Sequence, residues 1–382
     1  MNSTYTNTAD TNVSGNHFVE RVRDTLIRGG RVTKWKGRAA SFAPSLGAVA
    51  FGAMLLAASG GQALAAEECG AEAVGADVIN CAAGTYAGGI IYNNSDGLTL
   101  NLNNAGIIVG TSTSGVLIQG PTTNVNDMIL NGTNFNSITS TADYGHGLLA
   151  RNRGVTGSTI VTMSTGTINT SGVGSWAVTA LSHDGGSVLA QIDGGSVNTT
   201  GESAHGLYSW IGSATNSEMS SVRLTGGDIS TTGNNASGVY ARLLGLGDSL
   251  VEMDGGTIDT TGPYAYGLYS LNEGLGDATV TMNGGDITTA EFYSLGIYAA
   301  ITDAASSGAM TVTMNGGSIT TADAWGIWAR NSGLGDASIT ITGGDITASD
   351  DGAFAYIVNS AATGTASVAM SGGTITGRDW NI

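Results

Sequence analysis

The sequence is poor in charge, aromatic rings, proline and cysteine. Of its 382 residues 11% are charged and 6% aromatic, and it has three prolines and two cysteines. Both lysines, Lys34 and Lys36, lie near the N-terminus, so residues 67–382 contain none. No apolar run reaches the ~20 residues that a transmembrane helix needs. A disulfide-rich scaffold, a basic nucleic-acid-binding protein and a helical membrane protein are therefore all disfavoured.

The N-terminus has the parts of a secretory signal. Seven basic residues lie between Arg21 and Arg38 of a long polar segment, an apolar run covers 46–58, and small residues follow at 62–66. We predict a signal peptide with a long n-region at 1–66, cleaved after Ala65 or Ala66. A transmembrane helix is the alternative, but the run is short and rich in glycine and alanine.

Removal of the predicted signal changes the net charge of the chain. Residues 1–66 hold seven basic and three acidic residues, which leaves six arginines against 27 acids, a net charge of −21. Such a surface repels phosphate and anionic lipid, so we expect neither nucleic acid nor a lipid surface as a partner.

One phrase, Met-x-Gly-Gly-x-Ile, returns along the chain. Its first glycines are at 194, 226, 255, 284, 316, 343 and 372, separated by steps of 32, 29, 29, 32, 27 and 29 residues. A period in this range is typical of one small unit stacked on itself. The stretch 266–290 holds three short β-prone runs separated by turn residues, and no window has helical periodicity.

Identical residues one period apart favour parallel stacking over a closed barrel of hairpins. We predict an all-β, right-handed single-stranded parallel β-helix of nine or ten rungs, about 45 Å long at ~4.8 Å per rung. Residues 67–97 form an N-terminal cap, and 98–382 form the repeats. The two inward columns are Ile192, Leu224, Met253, Met282, Met314, Ile341, Met370 and Val197, Ile229, Ile258, Ile287, Ile319, Ile346, Ile375.

The two cysteines, Cys69 and Cys81, follow the cleavage site. In an oxidising compartment we expect them to pair and to staple the cap over the first coil. Metal ligation by two cysteines without a nearby histidine is the alternative, and we expect no metal or cofactor.

Together, the signal, the paired cysteines and the glycine-, threonine- and asparagine-rich repeats resemble the passenger region of bacterial autotransporters, especially the pertactin-like type. The resemblance implies a Gram-negative, type V secreted protein at the cell surface or outside the cell, with adhesive or virulence functions. That family also carries a C-terminal linker helix and membrane β-barrel translocator. Neither follows Trp380-Asn381-Ile382, so we expect the repeats to be truncated there.

A secreted glycan-active enzyme, a polysaccharide lyase or hydrolase, is the alternative function. Such enzymes need clustered acids with calcium or a basic residue on one face. Asp228, Asp286 and Asp345 recur in alternate coils only, and Arg223, Arg242 and Arg330 are scattered. The turn Gly-Leu-Gly-Asp at 245–248, 274–277 and 333–336 lacks the spacing of calcium-binding repeats, so we interpret its Asp as a partner of backbone amides. We predict no enzyme activity.

A column of aromatics is the candidate binding surface. Tyr208, Tyr240, Tyr269, Tyr298 and Trp328 each lie 15 or 18 residues before a first glycine, with Leu207, Val239, Leu268, Ile297 and Ile327 facing inward beside them. Exposed rings could bind glycans or a partner chain. A ladder of stacked rings that stiffens the rod is the alternative. His146 and His205 share a second position with Trp176, Ser237, Tyr266, Leu295, Trp325 and Phe354, which we interpret as a packing site.

Overall fold

The computed structural model describes residues 69–71, 77–110 and 114–377. The predicted signal at 1–66, with its cleavage residues Ala65 and Ala66, lies outside them. The described residues contain thirty strands and no helix, and so no helix that could cross a membrane.

All the strand pairs are parallel and stack as a β-solenoid of about ten coils, as the sequence predicts. The hand of the coil stays a prediction. Two sheets share the stack. Sheet B has ten strands: Ile90–Asn93 (β3), Val116–Gln119 (β5), Leu148–Asn152 (β7), Val178–Ser182 (β10), Leu207–Ile211 (β13), Val239–Leu243 (β16), Leu268–Asn272 (β19), Ile297–Ile301 (β22), Ile327–Asn331 (β25) and Ala353–Ile357 (β28).

Sheet A has twenty strands in two rows. The first row is Asp77–Asn80 (β1), Leu98–Gly110 (β4), Met128–Ser140 (β6), Thr159–Met163 (β8), Val188–Ile192 (β11), Ser220–Leu224 (β14), Ser249–Met253 (β17), Ala278–Met282 (β20), Met310–Met314 (β23), Ala337–Ile341 (β26) and Ala366–Met370 (β29). The second row is Thr85–Tyr86 (β2), Thr167–Thr170 (β9), Ser196–Thr199 (β12), Asp228–Thr231 (β15), Thr257–Thr260 (β18), Asp286–Thr289 (β21), Ser318–Thr321 (β24), Asp345–Ala348 (β27) and Thr374–Thr376 (β30).

The glycine pair makes the corner between the rows. Gly285 has φ +89°, a backbone conformation that residues with a Cβ rarely adopt. The early strands β4 and β6 lack this pair and run through the corner as single strands of 13 residues, with register shifts between them. The first coils are therefore less regular than the later ones.

The corner before sheet B needs glycine for another reason. A Cβ on Gly267 would lie 2.4 Å from Ile287 Cγ2, so the backbone approaches the core too closely for a side chain. This explains why the sequence places glycine immediately before Leu268.

The interior is a dry stack of aliphatic side chains. Both inward columns predicted from the sequence pair in register, and their members are at most 1% exposed from Ile192 to Ile346. Burial of apolar surface at ~25 cal/mol per Å² is thus the main force that holds the coils together. The final coil differs, because Met370 and Ile375 are only partly buried.

Buried threonines, which the sequence interpretation did not assign inward, close the next corner. Thr231 Oγ1 donates to the Ala236 carbonyl at 2.5 Å, and Thr260 Oγ1 donates to that of Ala265 at 3.1 Å. Each hydroxyl offsets the cost of its own burial by making a hydrogen bond to the chain that turns into sheet B.

The first coil is held covalently as well as by strand pairing. Cys69 and Cys81 form a disulfide bond with their Cα atoms 4.7 Å apart. Tyr92 Oη also donates to the Gly70 carbonyl at 2.9 Å. Strands β1, β2 and β3 of the predicted cap region already pair with the coil above, so the disulfide bond closes the first coil of the stack.

Candidate functional site

The aromatic column lies on the outer face of sheet B. Tyr208, Tyr240, Tyr269, Tyr298, Trp328 and Phe354 occupy the second position of six successive strands and pair in register. Their neighbours on each side point into the core. The predicted stacking of adjacent coils is therefore present, and Phe354 extends it by one coil.

The three middle rings of the column stack face to face. The centroids of Tyr240 and Tyr269 are 4.3 Å apart with 10° between the ring planes, and those of Tyr269 and Tyr298 are 5.0 Å apart at 16°. Tyr208 and Trp328 contact this stack at tilts of 42° and 33°. Aromatic pairs of this kind stabilise one another beyond the area they bury.

The expectation that the column is exposed is wrong for its first members. Tyr208 is 4% exposed and Tyr240 is 9% exposed, while Tyr269, Tyr298 and Trp328 are partly buried. Burial raises the pKa of the Tyr208 hydroxyl to about 12. The sequence argument failed here because it located the rings but not the side chains that flank them.

Those flanking side chains form a second column two residues before each strand. Trp176 lies 4.5 Å from Tyr208 by ring centroids, Tyr266 lies 5.0 Å from Tyr269, and Trp325 lies 4.8 Å from Trp328. The packing role predicted for this position is confirmed by these contacts. Phe354 was wrongly placed in it, since Phe354 pairs with Trp328 and the position is held in that coil by Asp351.

The two histidines of the second column are tied to the backbone. Nδ1 of His146 accepts a hydrogen bond from the Trp176 amide at 3.1 Å, and Nδ1 of His205 accepts one from the Ser237 amide at 3.0 Å. An Nδ1 that accepts carries no proton, so both rings are neutral. Burial, helped by the charge of Arg151, lowers the pKa of His146 to about 3.

One ion pair lies against the aromatic column. Arg242 Nε donates to Glu273 Oε2 at 2.6 Å, and the charge of the same guanidinium acts on the pKa of the Tyr208 hydroxyl, where it opposes the effect of burial. Burial works against the charge of Arg242, yet the bond to Glu273 holds its pKa above the ordinary value. The arginine is therefore a structural tie between neighbouring coils.

The recurring acids alternate with hydroxyls along one column of sheet A. Asp228 accepts from Thr257 Oγ1 at 2.6 Å, and Asp286 accepts from Ser318 Oγ at 2.5 Å. The column reads Ser196, Asp228, Thr257, Asp286, Ser318, Asp345, Thr374. Each acid is thus separated from the next by two strand spacings, ~9.6 Å, and like charges are kept apart.

The aspartates of the Gly-Leu-Gly-Asp turns bind backbone amides of the next coil. Asp248 Oδ1 accepts from the Asp277 amide at 2.8 Å, Asp277 Oδ1 from the Ala309 amide at 2.8 Å, and Asp336 Oδ1 from the Thr365 amide at 2.7 Å. This agrees with the role predicted from the sequence. The carboxylates tie the loops of successive coils together.

Arg223 and one groove lined by acids are the two features to consider for catalysis or metal binding. Arg223 is exposed and pairs with Asp254 at 2.7 Å and Glu252 at 3.7 Å. A groove of about 650 Å³ crosses the corners after β5, β7, β10 and β13, where Asp127, Asp184 and Glu218 line it without a basic residue. No group of three or more His, Cys, Asp or Glu side chains within the described ranges is placed to hold a metal ion.

The fold and its columns define a class of protein, a parallel β-solenoid built from repeats of about thirty residues. In comparisons with known proteins, no family model, curated protein or solved structure matches this chain.

Proposed function

We propose that the chain is the passenger segment of an exported, autotransporter-type surface protein, with an adhesive or structural role and no catalysis. It would be displayed on the outer membrane or released from the cell, and a C-terminal barrel translocator would carry it there. A host-surface or glycan receptor is its expected partner.

The observation that carries this proposal is that each coil is held by contacts with the coils next to it. Each strand of the regular coils pairs with its counterparts about thirty residues away, and the one disulfide bond in the described chain spans 12 residues. A chain that crosses a narrow pore unfolded can rebuild such a stack coil by coil, since each coil needs only its neighbour. The outward side chains serve mainly as ties between coils, which suits a stiff rod.

Expression of the full chain in a Gram-negative host tests export. We expect the protein in the periplasmic fraction with a mature N-terminus at Ala66 or Glu67 by mass spectrometry, after cleavage at the predicted signal. Replacing Ala63, Ala65 and Ala66 with tyrosine should leave the precursor uncleaved, because the cleavage site needs small residues. The matched control carries tyrosine at Ala71, Ala73 and Ala76, beyond the cleavage site, and should be processed as the wild type is. Retention of uncleaved wild-type chain in the cytoplasm would contradict the proposal.

A further inference from the structure

Three polar side chains lie near one another on the outer face of sheet B, in its third to fifth strands. Arg151 lies on β7, His183 follows β10, and Trp210 lies on β13. Register places Arg151 beside Leu181 and Leu181 beside Trp210. The His183 and Trp210 rings meet edge to face with centroids 5.1 Å apart. These side chains form one patch, which we term the Arg151 patch.

Each of the three carries a buried polar atom without a hydrogen-bond partner. The atoms are Arg151 Nε, His183 Nε2 and Trp210 Nε1. They are three of the five such atoms in the described chain, the other two being Thr179 Oγ1 and Trp328 Nε1 in the aromatic column. Buried polar groups are normally paired, so the patch is a place where the chain does not satisfy its own polar groups.

The patch is also positively charged in an acidic protein. Arg151 and Arg153 make no ion pair within the described residues, whereas Arg223 and Arg242 both do. Arg151 has one long contact, from Nη1 to Gln119 Oε1 at 3.5 Å. Burial, and then the charges of Arg151 and Arg153, lower the pKa of His183, with Asp184 opposing them. The local field therefore favours an anion, although the whole chain has a net charge of −17.

We infer that the Arg151 patch binds the carboxylate of an acidic sugar residue, with the Arg151 and Arg153 guanidinium groups pairing the carboxylate and the Trp210 ring lying against the sugar. Guanidinium groups match carboxylates in geometry and charge. The indole of Trp210 offers an apolar surface for the sugar ring beside the charged groups. Its Cζ2 lies 2.5 Å from where a Cβ on Gly212 would be, so glycine at that position makes room for the ring.

This inference goes beyond the proposed function by naming a ligand class. It depends on that function only in taking the sugar to belong to a surface glycan. Export can fail while the purified chain still binds, and binding can fail while export succeeds, so the two tests are independent.

Titration of the purified full chain with glucuronate, followed by the indole ¹H–¹⁵N signals of its tryptophans, tests the patch. We expect saturable binding of glucuronate that moves the Trp210 signal. Arg151→Gln should weaken it about tenfold or more, the loss that ~1.4 kcal/mol produces, because the carboxylate loses a charged partner. The matched control is Arg330→Gln, at the same register position in a later coil, and should bind as the wild type does.

Two further probes separate charge from sugar. Acetate supplies the carboxylate alone and glucose the ring alone, and we expect both to bind at least about tenfold more weakly than glucuronate, the loss that ~1.4 kcal/mol produces. Equal binding of acetate and glucuronate would overturn the sugar class. Unchanged glucuronate affinity in both Arg151→Gln and Trp210→Phe, with folding intact by circular dichroism, would overturn the site.

Discussion

The core and the outer face of sheet B are both built from columns in register, yet they achieve cohesion differently. Inside, Val, Ile, Leu and Met substitute for one another between coils, and all are buried except in the final coil. Outside, particular partners meet: a histidine with a backbone amide, an arginine with a glutamate, and a tyrosine with a tyrosine. The core needs only apolar side chains of suitable size, whereas the outer face depends on chemistry at named positions.

This difference shows where the molecule has room to vary. A changed residue in the core acts through volume and affects any coil alike, as long as that coil has neighbours on both sides. A changed residue on the outer face acts through one contact, and its effect depends on pH, charge or ring geometry. The Arg151 patch belongs to the second group, and most of the unpaired buried polar atoms of the described chain lie in it.

The largest effect should come from truncating the core. Ile287→Ala removes a fully buried side chain between two full coils, and we expect it to lower the free energy of unfolding by about 2–5 kcal/mol in urea denaturation. The matched control is Ile375→Ala in the same column, which is only partly buried and should cost less than half as much. Equal losses would show that the final coil is as well packed as the middle ones.

A smaller effect should follow from acid. His146 has a folded pKa of about 3 against an ordinary 6.5, so between these values the unfolded chain binds a proton that the folded one does not. Its contribution is fully present above pH 6.5 and is lost as pH falls towards 3. At about pH 5 the loss is about 2 kcal/mol relative to about pH 8, at ~1.4 kcal/mol per pKa unit.

The control for this pH dependence is His146→Asn, which keeps an acceptor for the Trp176 amide and cannot titrate. The change in unfolding free energy between about pH 8 and about pH 5 should shrink by about 2 kcal/mol in the variant. Carboxylates and His205 titrate in both proteins, so the difference isolates His146. An unchanged pH dependence would mean that His146 is not held neutral.

The difference between the core and the outer face of sheet B also explains how much of the structure the sequence could predict. The repeat located the inward columns, because Met282 and Ile287 recur at fixed offsets from the glycine pair. It also predicted the stacking of Tyr240 on Tyr269. It could not predict their burial, which depends on flanking side chains such as Tyr266 in a position whose residue type varies. The corner before β28 is shorter than the corresponding corners of the other coils. Counting residues along the repeat therefore assigned Phe354 to the wrong column.

The Arg151 patch escaped the sequence argument for a related reason. The fourth position of sheet B holds Asn93, Gln119, Arg151, Leu181, Trp210, Arg242, Leu271, Ala300, Arg330 and Tyr356, which show no repeat. Periodicity identifies residues that every coil shares. A site made by only a few coils departs from the repeat, so the closeness of Arg151 and Arg153 in the sequence was the only signal available.

The smallest effect concerns the stacked tyrosines. A double-mutant cycle that combines Tyr240→Ala with Tyr269→Ala should give a coupling of about 0.5–1.5 kcal/mol, because the two ring faces cover each other. The control pair is Tyr208→Ala with Tyr298→Ala, which do not lie in adjacent coils and should be additive within ~0.5 kcal/mol.

Glycan-array binding of Tyr269→Ala/Trp328→Ala distinguishes the two interpretations of the column, a glycan-binding stripe and a ladder of stacked rings. Lost glycan signal without Tyr240–Tyr269 coupling would favour a binding stripe, whereas coupling with unchanged signal favours a ladder that stiffens the rod.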